Sequence, residues 1–285
     1  MRSITIDHIN EFKEGFFKKL FEGIKEDPEL SFEIRKDNKV MIYYHKEKIL
    51  TTSIKKGKPC INILDEKYYE GKTKPVFSKE NLHRLTDIRN YFKEAKNLVS
   101  LYKRGEEFSI QQNIALGNNS FNDRYLVVDM EWQFSQECIP SEERIKKTRI
   151  DLVIVDTKTN TKGTNDIYLA ELKLGTGATQ GASGTIDHVE KTNEIITNEK
   201  ACQALVDDVK TILDQKTELG LIEGERKAFK YNQKPKMMLI LAYRGEKEKK
   251  VLLSEYQKAK KRATELGMEE PKLIMHNALI TLKDE

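Results

Sequence analysis

Cysteine is scarce, with Cys60, Cys138 and Cys202 the only three in 285 residues. They share no CxxC or CxxxC spacing, which excludes a zinc ribbon and a dithiol redox pair. Free thiols in a reducing compartment are the expectation. Apolar runs are short as well. Nowhere do about 18 apolar residues follow one another, so no membrane-spanning helix is expected. The opening stretch MRSITIDHINEFKEGFFKKL lacks an apolar segment of signal-peptide length, and a cytoplasmic location is the matching expectation. The five histidines (His8, His45, His83, His188, His276) fit no HExxH or HNH-like spacing, and no GxSxG occurs. Histidine-metal and serine-hydrolase chemistry therefore find no support. Excess charge is also small. Fifty Lys+Arg against 46 Asp+Glu leave +4, too little for a coat-like nucleic-acid binder, so any anion-binding surface must come from local clustering.

What is present is a charged, globular chain. Hydrophobic residues make up 38% and charged residues 34%, enough for a core and well away from disorder. The length suggests two domains. Residues 7–26 read as one amphipathic helix, with Ile9, Phe12, Phe16, Leu20 and Ile24 at helical spacing and Asp7 as N-cap. The runs SFEIRK, KVMIYYHK, KILTTSI and CINILD read as an antiparallel meander within 30–66. A linker over 66–78 leads to a helix over 79–104, capped by Ser78. From 106 onward the pattern reads helix, three strands, helix, strand, helix, strand. The long helix covers 186–219 with a Schellman ending at Gly220-Leu221. Three consecutive strands followed by helical crossovers predict an α/β mixed sheet flanked by helices. The expected division is a smaller N-terminal helix and β-meander domain over 1–103 and an α/β domain over 104–285.

The informative chemistry lies between 149 and 174. Glu171 and Lys173 are two apart on a strand and point to one face, while Ala170, Leu172 and Leu174 point to the other. Desolvating an acid and a base inside an apolar strand costs several kcal/mol and needs a reason. Asp151 stands inside the preceding strand. A hairpin closed near Asp156 and Ile167 sets Asp151 opposite Leu172, and a slip of one residue sets it on the face of Glu171 and Lys173. Two carboxylates and an ammonium then converge, and oxygen-only ligation suits Mg²⁺ or Mn²⁺. The plainer alternative is a solvated salt-bridge face for Glu171 and Lys173, with Asp151 a turn or cap residue.

Asp151 followed by Glu171-Leu172-Lys173 on successive strands, after a helix and a first strand, resembles the core of the PD-(D/E)xK nuclease superfamily. The likeness covers roughly residues 104–245, with Ile150 where the motif has Pro. It implies a restriction-endonuclease-like fold and metal-dependent phosphodiester hydrolysis of nucleic acid, DNA more than RNA. It further implies Asp151, Glu171 and the Leu172 carbonyl as ligands of Mg²⁺ or Mn²⁺. Lys173 would position or activate water or neutralise phosphoryl charge. Members often add an acid from the preceding helix, here Glu107 or alternatively Glu106. Glu131, in the first strand, competes for that role.

Around this core, GTGATQGASG (175–184) leads into a helix with Ser183 or Thr185 as cap. Gly177, Gln180 and Ser183 are its candidates for touching a nucleic-acid backbone, a plain connector being the alternative. Arg149 can reach a phosphate or form a surface pair. Lys258, Lys260, Lys261 and Arg262 form one basic patch, and Lys55, Lys56 and Lys58 another; such runs are usually solvated faces. Trp132 reads as core. The reading from a different class is a non-catalytic nucleic-acid-binding or protein-interaction module that keeps the fold. Nothing in residues 1–103 selects among a partner, a substrate feature and a second copy in a homo-oligomer.

Overall fold

A computed structural model of the protein describes residues 1–69, 84–102, 106–134, 149–177 and 184–278. It is an α/β structure with a four-stranded antiparallel sheet, a five-stranded mixed sheet and seven helices among those residues. The chain forms two compact units, Met1–Ser120 with Asp208–Arg226, and Phe121–Asp207 with Lys227–Glu285. Against the division expected at 103/104, the helix after residue 105 and a late helical segment pack with the first unit.

In the first unit, the helix expected over 7–26 is two: α1 (Ile6–Lys13) and α2 (Lys18–Glu26). The break falls at Gly15, where the Glu11 carboxylate accepts the Phe16 N–H at 2.6 Å. The turn exchanges two aromatics, so that Phe17 is fully buried and Phe16 is 36% exposed. Thr5, not Asp7, caps α1, its hydroxyl accepting the His8 N–H at 3.3 Å. The meander forms as the pattern predicts: β1 (Ser31–Arg35), β2 (Lys39–Tyr44), β3 (Glu47–Lys55) and β4 (Lys58–Ile63) pair in chain order. Phe32, Ile34, Val40, Ile42, Leu50 and Ile61 are its buried apolar residues. α3 (Leu85–Tyr102) adds Ile88, Tyr91, Phe92 and Ala95 to the core. The Tyr91 hydroxyl ties α3 to the sheet, donating to the Ile49 carbonyl and accepting the Leu64 N–H. The expected cap Ser78 lies outside the described residues. α4 (Glu106–Gly117) belongs to this unit.

His8 is fully buried between polar partners, with Nδ1 3.1 Å from Asn38 Oδ1 and Nε2 3.0 Å from Thr52 Oγ1. The amide oxygen accepts, so the proton sits on Nδ1 and Nε2 accepts from the threonine. Burial holds the imidazole pKa below its ordinary 6.5. The unfolded chain therefore binds the proton more readily, and His8's contribution is complete above about 6.5 and lost as pH falls through the folded value. Melting temperatures from pH 7.5 to 5 should fall less steeply for His8→Phe than for wild type. The variant should melt lower at pH 7.5, having lost both hydrogen bonds. Parallel pH slopes would show that His8 does not titrate on unfolding.

The second unit is built on β5 (Tyr125–Trp132), β6 (Ile150–Thr159), β7 (Asn165–Leu174), β8 (Lys236–Tyr243) and β9 (Lys272–Asn277), side by side in that order. The first three pair antiparallel and the last two join in parallel. Trp132 is core, at 1% exposure. The helix expected over 186–219 is α5 (Thr185–Thr197) and α6 (Glu199–Glu218), separated at Asn198. There the Asn198 side chain accepts the Ala201 N–H at 2.9 Å, starting a new helix. The ending does follow the Schellman pattern: Leu221 N–H bonds to Lys216 O, Gly220 N–H bonds to Thr217 O, and Gly220 has φ +66°. α7 (Glu246–Glu265) starts earlier than the sequence suggests, behind Gly245. Val189 of α5 and Leu252, Tyr256, Ala259 and Ala263 of α7 cover Met237, Leu239 and Leu241 of β8. No described helix is long and apolar enough to cross a membrane.

Candidate functional site

The register of β6 against β7 decides which side chains meet. Leu152 pairs with Ala170 and Val155 with Ile167, which sets Asp151 opposite Glu171 rather than opposite Leu172. This is the slip of one residue that the sequence left open: Ile167 meets Val155 and not Asp156. Opposed residues of an antiparallel pair share a face. Asp151, Glu171 and, two residues on, Lys173 therefore stand on one side of the sheet. That side is the one Leu239 and Leu241 of β8 occupy, since these pair with Glu171 and Lys173.

Burial separates this set from an ordinary wet face. Glu171 is 1% exposed and Lys173 5%, while Asp151 is half-buried. Asp151 Oδ2 accepts the backbone N–H of Leu172 at 3.0 Å, stitching the two strands together. A residue that the sequence reading dismissed completes the arrangement. His188, in the first turn of α5, places Nε2 3.1 Å from Lys173 Nζ and Nδ1 3.1 Å from Glu171 Oε2. The first contact is a hydrogen bond; the second is close in distance but falls outside hydrogen-bond geometry. An ammonium can only donate, so Nε2 accepts and the ring proton belongs on Nδ1. Burial first, and the Lys173 charge second, push the His188 pKa down to about 4. The imidazole is neutral at physiological pH.

The remaining candidates fall on several elements. Glu131 pairs with Arg149, Oε2 to Nε at 2.5 Å, so the arginine is engaged by a carboxylate as a surface pair. Met130 pairs with Leu152 and Trp132 with Ile150, which sets Glu131 opposite Asp151. Its backbone has φ +56°, a left-handed conformation that typically costs a non-glycine residue about 1–3 kcal/mol and often accompanies functional sites. Glu106 and Glu107 stand in α4, which belongs to the first unit. Gly177 is exposed, with open space around it. Gln180 and Ser183 lie outside the described residues. Gly184, in an extended conformation, is the N-cap of α5, with no side-chain cap bond; Thr185 is its first helical residue. Asp129 was passed over in the sequence, yet it is a 1% exposed carboxylate one pleat along β5 from Glu131. Only its place inside the apolar run YLVVDMEW marks it out.

The basic patch on α7 is a mixed-charge face. Lys258 pairs with Glu255 at 2.7 Å, Lys260 with Glu270 at 2.8 Å and Arg262 with Glu190 at 2.8 Å. Lys55, Lys56 and Lys58 are exposed around the β3–β4 turn.

The Asp151 and Glu171 carboxylates, on facing strand positions, and the carbonyl of neighbouring Leu172 are oxygen donors, the kind Mg²⁺ and Mn²⁺ take. In the conformation described, Asp151 is held by the Leu172 amide and Glu171 lies against His188. Among the described residues, no three or more His, Cys, Asp or Glu side chains are gathered as a ready metal site. The donors fit in kind, and a bound ion would draw the two acids toward itself. No protein-family model matches this chain, and neither a curated protein nor a solved structure matches it.

Proposed function

We propose that this chain is a divalent-metal-dependent nuclease of the PD-(D/E)xK kind, hydrolysing phosphodiester bonds in nucleic acid, DNA in preference to RNA. One observation carries the reading. A glutamate and a lysine are kept almost wholly buried on one strand face, with an aspartate set opposite. Folding alone gives no reason to retain such a set, because apolar residues of similar volume often serve a core as well or better. Buried charges of this kind concentrate at functional sites.

In this reading Asp151, Glu171 and the Leu172 carbonyl hold Mg²⁺ or Mn²⁺. The ion, when bound, supplies Lewis-acid polarisation of the scissile phosphoryl group. Lys173 presents its ammonium to the charge that develops on the phosphoryl oxygens, where a desolvated cation acts more strongly than one in water. Asp151 also fixes the backbone of Leu172, so the carbonyl of that residue is presented by a rigid strand. The non-catalytic module is the second reading. It is favoured by the engagement of both acids within the chain and by the absence of a gathered metal group among the described residues.

Purified protein incubated with linear, circular and single-stranded DNA and with RNA, in Mg²⁺ or Mn²⁺, separates the two. Cleavage should need the metal, stop with chelator, and vanish in Glu171→Gln, which also controls for a contaminating nuclease. Salt-sensitive binding without cleavage, unchanged in Glu171→Gln, would favour the module.

A further inference from the structure

His188 has no part in the donor set just described, yet it touches both charged residues of β7. Side chains two apart on a strand start about 6.6–7 Å from one another, and a glutamate and a lysine are long enough to close that gap. In a buried setting their attraction is several-fold stronger than in water. Left alone, they would fold together into a direct ion pair. The imidazole ring occupies the space in which that pair would form, with one nitrogen 3.1 Å from each partner. Its placement is firm, because Val189, the next residue of α5, is buried in the apolar cluster over Leu239 and Leu241. α5 starts behind Gly184, its N-cap, so His188 stands in its first turn.

We propose that His188 is a positioning residue: a spacer that stands between Glu171 and Lys173 and keeps the two from pairing with each other, so that the carboxylate can turn to a metal ion and the ammonium to a phosphoryl group. This inference rests on the nuclease reading of the same site. Its chemistry is directional. The bare Nε2 accepts from the lysine, while the Nδ1 side faces the carboxylate at 3.1 Å without a hydrogen bond. Removing it frees Lys173 to close onto Glu171, which costs the site a donor and the phosphate its cation together.

The test is Mn²⁺ binding by titration calorimetry on the full chain, with cleavage as a second readout. His188→Ala should weaken Mn²⁺ binding by roughly 10- to 100-fold, the usual loss when a residue that orients a ligand is removed. His188→Gln, whose amide can accept from Lys173, should recover most of it. The double variant His188→Ala, Lys173→Met should also bind Mn²⁺ better than His188→Ala alone, because the competing cation has gone. A spacer makes that gain larger than the one Lys173→Met gives in the wild-type background, where loss of a nearby cation also helps the metal; a residue that ligates the metal or merely supports the fold makes the two gains equal. Nitrogen-15 shifts of the wild-type imidazole, which need no variant to fold, should report a neutral ring protonated at Nδ1. Unchanged Mn²⁺ affinity in Glu171→Gln overturns the metal site itself. Loss in Glu171→Gln with wild-type affinity in His188→Ala overturns only the role of His188. A gain from Lys173→Met that is equal in the two backgrounds, or a ring protonated at Nε2, overturns the spacer.

Discussion

Asp151→Asn should lower metal-dependent cleavage by about 10³-fold while leaving the fold almost intact. The magnitude follows from the several kcal/mol that Lewis-acid stabilisation is worth, at about 1.36 kcal/mol per factor of ten. The fold survives because the asparagine side-chain oxygen can still accept the Leu172 N–H that Asp151 accepts at 3.0 Å. What is lost is the charge. Asp151→Ala should be equally inactive and also less stable by roughly 1–3 kcal/mol, the cost of a buried strand N–H left without a partner. Comparing the two variants by single-turnover cleavage and urea melts separates the electrostatic role from the structural one. Wild-type cleavage in Asp151→Asn would remove this residue from the mechanism.

The second large effect concerns stability and needs no substrate. Lys173→Met should destabilise the protein by about 3–5 kcal/mol, because it withdraws the cation that stands one imidazole away from the buried Glu171 carboxylate. Lys173 is 5% exposed and Glu171 1%, so water cannot take over the role of the missing cation. With the ammonium gone, the carboxylate faces a neutral imidazole, which offers dipole but no charge. The double variant Glu171→Gln, Lys173→Met should recover most of the loss, since replacing both members of a buried pair is often close to neutral. A double-mutant cycle in urea gives the coupling directly. Additive losses would mean that the two charges are held by other groups and do not depend on each other.

Much of the architecture is legible in the sequence because it rests on periodicity and punctuation. The meander, the three antiparallel strands and the parallel additions β8 and β9 all announce themselves as apolar runs between turn residues. The failures have local causes. Gly15 and Asn198 each split a helix whose apolar period runs straight through the break, since a spacing pattern does not record where a side chain captures a backbone N–H. The β6–β7 register differs by one residue from the hairpin count, the slip that a long loop permits. For the site, Asp151, Glu171 and Lys173 stand out because they are charges inside apolar strands. His188 does not, because it arrives on a helix beyond a glycine-rich segment, and sequence distance says nothing about which turn of α5 lies over β7. Asp129 is hidden for another reason. One acid in a strand is unremarkable until its burial is known.

The division of the chain carries a consequence for the order of synthesis. The first unit is not finished at Ser120. Lys216 brings its ammonium to the buried Glu33 at 3.2 Å, and Gln215 bonds the Ile4 backbone at both its N–H and its carbonyl. Asp208 takes the Arg2 N–H at 2.6 Å. All three of these late residues are translated more than 140 positions after the meander ends at Ile63. At 5–20 residues per second, Glu33, which also has Arg35 at 3.8 Å, waits roughly 10–40 s for Lys216. During that interval the emerging chain holds a carboxylate whose buried environment does not yet exist, and the second unit's sheet is being made in between. The amino-terminal half thus reaches its final form only when the ribosome is well into the second, and the two units share a single folding schedule.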